Sequence, residues 1–530
     1  MIFRRIDKAD GHMGADIRQA GWSAAMDVVN VPRQDQLIHA LLDDAVAEFP
    51  LSPAVRDDDG VWDYDTLAEY SHAVEAWLRA EGVRPGDRVV VQLPTTRELV
   101  ALFYGVSRRG AIFVPLNPAM KAFHLSSVVE NAEPRLVVAS DEAVGTVRSA
   151  TAVPVHGFGS VWSEVEGFRA RDARAEPAGT GPDDVAVLVY TSGSTAAPKG
   201  VIGPHGRVTF AAAAINAELG YRHDDVVFCR FPMSWDYGLY KVLLSCLGRS
   251  EIVLAGGESD LVLLRRMHEV GATVVPIVPS LATMIATLAE RDPEHTAPVR
   301  LFTNTGAALP QATIDKLRAA FPGARIVRQF GQTECKRVSV MPPDEEHQRP
   351  DSVGRPLPGT RVLILDEEGR ELPVGESGEI VVTGPHVMLG YWRAPELTAR
   401  TFRPGPDGEP RLHTGDFGRI DEDGYLYFEG RRDDMFKRRG IRMSTLEIEA
   451  AAMDIPGVRA AGAIPPSGDR DLALCVETDL PPHTVLKELA KRLEPAKVPV
   501  VCRVVDTFPL TAHGKNAVRE LLPLLEGTEG

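Results

Sequence analysis

Residues 190–200 read YTSGSTAAPKG, and the apolar run Val185 to Tyr190 (VAVLVY) leads directly into them. That run is short, β-branched and bounded by turn formers, which predicts a buried strand. Thr191, Ser192, Gly193, Ser194 and Thr195 then place four hydroxyls around one glycine. Gly193 lets the backbone bend and approach a ligand closely. Pro198 turns the chain, and Lys199 adds a point charge. A loop lined by hydroxyls and amides that ends in a lysine suits a polyphosphate. Ser, Thr and Gly also favour plain surface loops, so the loop alone leaves both readings open. It is not a Walker A loop, because Pro198 stands where that motif needs a glycine before its lysine.

With 530 residues the chain is too long for one hydrophobic core, and two or more domains are expected. A net charge of −16 argues against nucleic acid as the main partner. No apolar run is long enough to span a bilayer, so no membrane insertion is expected. The N-terminal stretch has charge but no apolar core of the secretory kind. Residues 1–34 lack periodicity and read as an extension. Cys229, Cys246, Cys335, Cys475 and Cys502 are scattered without metal-ligand spacing. Reduced thiols in a cytoplasmic protein are the simplest account.

Around the loop the chain alternates strand-like and helix-like segments. Strands are expected at Arg88 to Leu93, Ala111 to Leu116, Arg135 to Ala139, Val226 to Arg230, Ile252 to Ala255 and Thr273 to Val278. Helices are expected at Asp65 to Leu78, Arg97 to Ser107, Leu261 to Val270 and Leu281 to Glu290. Thr66 with Glu69 forms a capping-box pattern at the first of these helices. The alternation predicts an α/β fold of doubly wound, mostly parallel sheets. From Arg361 onward, short strands at Val362 to Leu365, Glu379 to Thr383 and Tyr425 to Glu429 alternate with Gly- and Asp-rich turns. These predict a small antiparallel, β-barrel-like subdomain. The basic stretch after Gly430 (RRDDMFKRRG) precedes a small α+β segment with a strand at Leu472 to Val476 and a helix at Thr484 to Leu493.

Five further segments complete a pattern. They are NTGAALP (304–310), QFGQTE (329–334), LHTGD (412–416), GRRDDMFKRRGIRMSTLEIE (430–449) and PLTAHGK (509–515). Taken alone, each has a plain reading as a β–α turn, a core aromatic, a turn aspartate or a solvated charge run. Together with the loop, in this order and spacing, they resemble the AMP-forming adenylating enzymes: acyl- and aryl-CoA synthetases, peptide-synthetase adenylation domains and luciferases. The resemblance covers nearly the whole chain from about residue 35. This chain carries Ala196 where that family usually has glycine.

The resemblance implies ATP-dependent activation of a carboxylic acid. The carboxylate attacks the α-phosphorus in line, pyrophosphate leaves, and the acyl-adenylate passes to a thiol. It assigns Thr191, Ser192, Gly193, Ser194, Thr195 and Lys199 to the phosphates. Gly306, Ala307, Ala308 and Phe330 fall to adenine, and Asp416 and Arg431 to ribose. Thr333 falls to the α-phosphate, and Glu334 with Thr195 to Mg²⁺. Lys515 would neutralise charge in the first half-reaction. Arg442 and Gly440 would serve the second half-reaction, after rotation about a hinge at Asp433. The implied organisation is an extension over 1–34, an ATP- and acid-binding domain over 35–430, a hinge at 431–434 and a mobile lid over 435–530. Coenzyme A is the expected thiol, with carrier-protein phosphopantetheine as the alternative. No carrier or condensation segment follows in this sequence, which predicts a stand-alone enzyme. A homodimer is compatible with the resemblance.

The acid pocket is expected at FPMSWDYGLY (231–240), with Trp235, Asp236, Tyr237, Tyr240 and Gly306 facing substrate. CoA synthetases usually have histidine where Trp235 stands. Peptide-synthetase domains have a Ser-Phe-Asp triplet, close to Ser234-Trp235-Asp236, whose aspartate pairs with the substrate amine. Asp236 therefore reads either as an amine partner or as a structural carboxylate bonded to backbone. The bulk of Trp235 favours a compact cyclic, aryl or amino-bearing acid over a long fatty chain.

Overall fold

A computed structural model describes residues 35–530, apart from 121, 192–198, 258, 308, 343, 344, 346, 347, 407, 432–434, 439, 440, 468, 469, 494, 496, 510–517, 522–524 and 526–530. Two large sheets carry the expected α/β architecture. One has six strands in the spatial order Val155–Gly157, Leu136–Ala139, Arg88–Gln92, Ile112–Pro115, Val185–Thr191 and Lys199–Pro204. Its pairs are parallel except the last. Strands buried on both faces need continuous apolar runs, which is what VVV, FV and VAVLV supply.

The second sheet has 14 strands. Its parallel part runs Pro53–Asp57, Glu251–Leu254, Val226–Cys229, Val274–Ile277, Leu301–Asn304 and Arg325–Phe330. The antiparallel strands of 361–431 are hydrogen-bonded onto this same sheet. Ser339–Val340 and Ser352–Pro356 make the connection. Among the described residues the strands of 435–505 pair with one another, in a two-stranded and a three-stranded sheet. They enclose their own apolar cluster around Met443, Ile448, Leu474 and Val485.

One local expectation is corrected. The helix Tyr64–Ala80 is capped by Asp63, whose carboxylate accepts from the Thr66 N–H at 2.8 Å. Thr66 lies inside the first turn, and Glu69 is drawn away to Arg169 at 2.9 Å. An aspartate one turn earlier is an equally good cap, so Thr66–Glu69 forms no capping box. All five cysteines are buried and free. Among the described residues no helix is long and apolar enough to cross a membrane.

Candidate active site

Three predicted segments leave the carboxyl ends of parallel strands of the larger sheet. Residues 231–236 follow Val226–Cys229, Gly306 and Ala307 follow Leu301–Asn304, and Thr333 and Glu334 follow Arg325–Phe330. That end of an open α/β sheet is where ligands generally bind. In the six-stranded sheet, Thr191 and Lys199 are paired partners in the antiparallel stems on either side of the phosphate loop. The loop itself (Ser192, Gly193, Ser194 and Thr195), Ala308, Asp433, Gly440 and Lys515 lie outside the described residues, as does the side chain of Arg442.

On the nucleotide side, Gly306 takes φ +89°, which glycine adopts without strain. Asn304 holds the turn by donating to the Ala307 carbonyl at 2.9 Å. The Phe330 ring packs against Phe428, with centroids 5.1 Å apart. Asp416 is 3% exposed and accepts from Arg431 Nε at 3.1 Å. The two residues assigned to ribose are thus direct neighbours. Glu334 Oε1 accepts from the Tyr391 hydroxyl at 2.6 Å. Among the described residues no group of three His, Cys, Asp or Glu side chains could cage a metal. A single carboxylate such as Glu334 fits Mg²⁺, which usually takes one or two carboxylates and completes its shell with phosphate and water.

The acid pocket holds the main surprise. Trp235 is the N-cap of the helix Asp236–Gly248. A Cβ on Gly238 would lie 2.3 Å from the Pro232 carbonyl, so only glycine lets this helix start so close to the preceding turn. Asp236 Oδ2 accepts from Lys336 Nζ at 3.0 Å, and the Lys336 side chain is only 3% exposed. Lys336 itself sits in the left-handed region at φ +61°. Arg337 is also buried and donates to Thr305 Oγ1 at 2.6 Å. Lys241 is 1% exposed, with Nζ 3.3 Å from both Tyr221 Oη and Thr303 Oγ1. The ring of Tyr237 lies among all three cations, at 4.7 Å from Lys241, 5.4 Å from Lys336 and 6.0 Å from Arg337. Its hydroxyl is pinned to the Thr303 carbonyl at 2.6 Å.

Burial lowers the pKa of Lys336 to about 8, against the opposing pull of Asp236. Burial lowers Lys241 further, helped by the charges of Arg337 and Lys336. It also raises the Tyr240 hydroxyl, and Asp236 adds to the effect. A cavity of about 20 Å³ is lined by Asp236, Tyr240 and Thr333 together with Val189, Val201 and Met388. Val189 and Val201 belong to the two strands on either side of residues 192–198.

Among the described residues the bond recorded for the Asp236 carboxylate is to the buried Lys336 rather than to backbone. Lys336, Arg337, Lys241 and Tyr391 were not anticipated from sequence. The one available signal was a pair of adjacent basic residues inside an otherwise apolar run, CKRVSV.

Residues 42–392 match the AMP-binding enzyme family, and the chain belongs to that family. It is 27% identical to 4-coumarate–CoA ligase 2 of Nicotiana tabacum, covering 91% of this chain and 93% of the relative. It is 28% identical to delta-poly-L-ornithine synthetase of Acinetobacter baumannii over 91% of its own length, and spans only 36% of that longer protein. Among solved structures, VinN superposes with a TM-score of 0.72 at 56% identity, over 76% of this chain and 100% of VinN. VinN has been solved with L-aspartate and with 3-methylaspartate. ATP-bound MatB from Rhodopseudomonas palustris superposes at TM-score 0.84 and 28% identity, over 94% of this chain and 99% of MatB. The fold is that of an adenylating enzyme.

Proposed function

We propose that this enzyme uses ATP to adenylate an amino dicarboxylic acid of the aspartate class, and then hands the acyl group to a thiol. The observation that carries this reading is the pair of buried Lys336 and partly exposed Asp236, 3.0 Å apart, with the buried Arg337 beside it. Two or more buried cations against one carboxylate leave an excess of positive charge in a place where charge is expensive. A substrate ammonium would take Asp236, and a spare substrate carboxylate would take Lys336 and Arg337. The reactive carboxylate would then be left for the α-phosphorus. The VinN complexes with aspartate and 3-methylaspartate support the same class. Of the acids expected from sequence, the amino-bearing one is favoured over the cyclic or aryl one.

In this reading the protein's part is to align two anions and absorb charge. Asp236, Lys336 and Arg337 orient the acid, and Asp416 and Arg431 would fix the ribose. Thr333 lines the cavity between acid and phosphate. Lys199 supplies charge at the end of the phosphate loop. Glu334 would hold Mg²⁺, which when bound neutralises phosphate charge. Lys515, Arg442 and rotation at Asp433 keep the roles that the family resemblance implies.

The test is pyrophosphate exchange across a panel containing aspartate, 3-methylaspartate, asparagine, succinate, benzoate and octanoate. The amino diacids should exceed asparagine and succinate by at least about 10²-fold in specificity constant, because each rival leaves a buried charge unpaired. Benzoate or octanoate leading the panel would overturn the proposal. Turnover of the winning acid with free CoA, against carrier-protein phosphopantetheine, then decides the acceptor.

A further inference from the structure

The pairing of Glu334 with Tyr391 spans 57 residues of sequence, and much of the surrounding structure serves to hold it. Residues 388–392 run along the outer edge of Lys199–Pro204. Ile202 N–H donates to the Gly390 carbonyl at 2.9 Å, Leu389 N–H to Ile202 at 3.2 Å and Trp392 N–H to Gly200 at 2.8 Å. Gly390 takes φ +130°, and a Cβ there would lie 2.3 Å from Thr398 Cγ2. Thr398 Oγ1 in turn accepts the Tyr391 N–H at 3.0 Å. The ring packs edge-on against Phe402, 5.7 Å away, and the residue is 7% exposed. From this fixed seat the hydroxyl reaches Glu334 Oε1. Lys199 Nζ lies 6.0 Å from the ring centroid, at the limit of cation–π attraction. Met388 N–H adds a backbone bond to the Glu334 carbonyl at 2.9 Å.

We propose that Tyr391 is a positioning residue that holds the metal-binding carboxylate and the phosphate-loop lysine on one rigid ring. The proposal rests on the reading of Glu334 as the Mg²⁺ carboxylate. The hydroxyl engages Oε1 from one side, which sets the rotamer of Glu334. Its other carboxylate oxygen is left for the metal. Outer partners of metal ligands typically change metal affinity or activity 10–100-fold when removed.

The experiment measures Mn²⁺ binding by electron paramagnetic resonance, on full-length protein saturated with α,β-methylene-ATP. Tyr391→Phe keeps the ring and its packing, and should weaken Mn²⁺ binding about 10-fold or more. Its KM for the acid and its melting temperature should match wild type. Tyr391→Leu should also weaken metal-free nucleotide binding, because Lys199 loses the ring face. Glu334→Gln separates the two layers of the argument. If Glu334→Gln weakens Mn²⁺ and Tyr391→Phe does not, the positioning role is wrong. If Glu334→Gln binds Mn²⁺ as wild type does, the metal reading falls and the proposal with it. A Tyr391→Phe protein whose acid KM rises as much as its Mn²⁺ affinity falls would mark a general packing defect and would also overturn the proposal.

Discussion

Lys336 makes the substrate reading testable by pH alone. In the proposed function its ammonium holds the second carboxylate, yet burial has lowered its pKa to about 8. At that value about nine in ten enzyme molecules carry the proton at pH 7 and about one in ten at pH 9. The free-enzyme profile is reported by kcat/KM, so that quantity should fall about tenfold between pH 7 and pH 9, and tenfold again by pH 10. Lys336→Arg supplies the control. A guanidinium stays charged throughout this range, so the break near 8 should vanish while any break from the substrate's own ammonium remains. The assay is pyrophosphate exchange with aspartate as the acid, at saturating ATP, from pH 6.5 to 10. A wild-type profile flat between pH 7 and 9, or a Lys336→Arg profile with the same break, would refute the role of Lys336. A break seen in kcat alone would point instead to a later step.

Asp236→Ala should lose about 10²-fold or more on aspartate while gaining relative activity on succinate; a panel ranking unchanged from wild type would return Asp236 to a structural role. Lys515→Ala should abolish adenylation and spare thioester formation from preformed acyl-adenylate, since the charge is needed only in the first transition state; equal loss of both half-reactions would contradict the assignment. A third outcome concerns acid stability. Burial holds the pKa of His39 and His72 at about 4 and that of His205 at about 3. All three lie below the unfolded value near 6.5, so protons bind preferentially to the unfolded chain. Their contribution is complete above pH 6.5 and is lost as pH falls towards 4, at up to about 1.4 kcal/mol per pH unit for each histidine. Urea midpoints measured from pH 7.5 to 4.5 should therefore drop steeply, less so in His205→Asn, and a midpoint independent of pH would rule the effect out.

The sheets were legible because parallel strands covered on both faces must be apolar throughout, and Val89 to Val91 or Val274 to Ile277 admit few other readings. Helix ends were less so. Asp63 and Thr66 are both competent caps, and only the accepted hydrogen bond distinguishes them. The acid pocket was half legible. Asp236 stood out in a segment with a known resemblance, but its partner lies 100 residues further on. Lys336 and Arg337 follow the QTE turn in sequence, and a surface-exposed basic pair would look the same there. What makes them part of a site is burial, which the sequence does not display. Tyr391 was missed for a similar reason: an aromatic after glycine is usually packing, and its hydroxyl finds Glu334 only after the chain has crossed to the other sheet.

The backbone at Lys336 carries a last consequence, for anyone redesigning the pocket. At φ +61° this position tolerates glycine or asparagine readily, lysine and other unbranched residues at some cost, and valine, isoleucine or threonine poorly. The turn that carries Thr333 and Glu334, the residues proposed for phosphate and metal, is the same one that bends through Lys336. A neutral-acid variant built with Lys336→Asn keeps that turn, whereas one built with Lys336→Val would damage ATP use along with selectivity. Libraries aimed at new substrates are therefore best restricted at this codon by conformation first and polarity second.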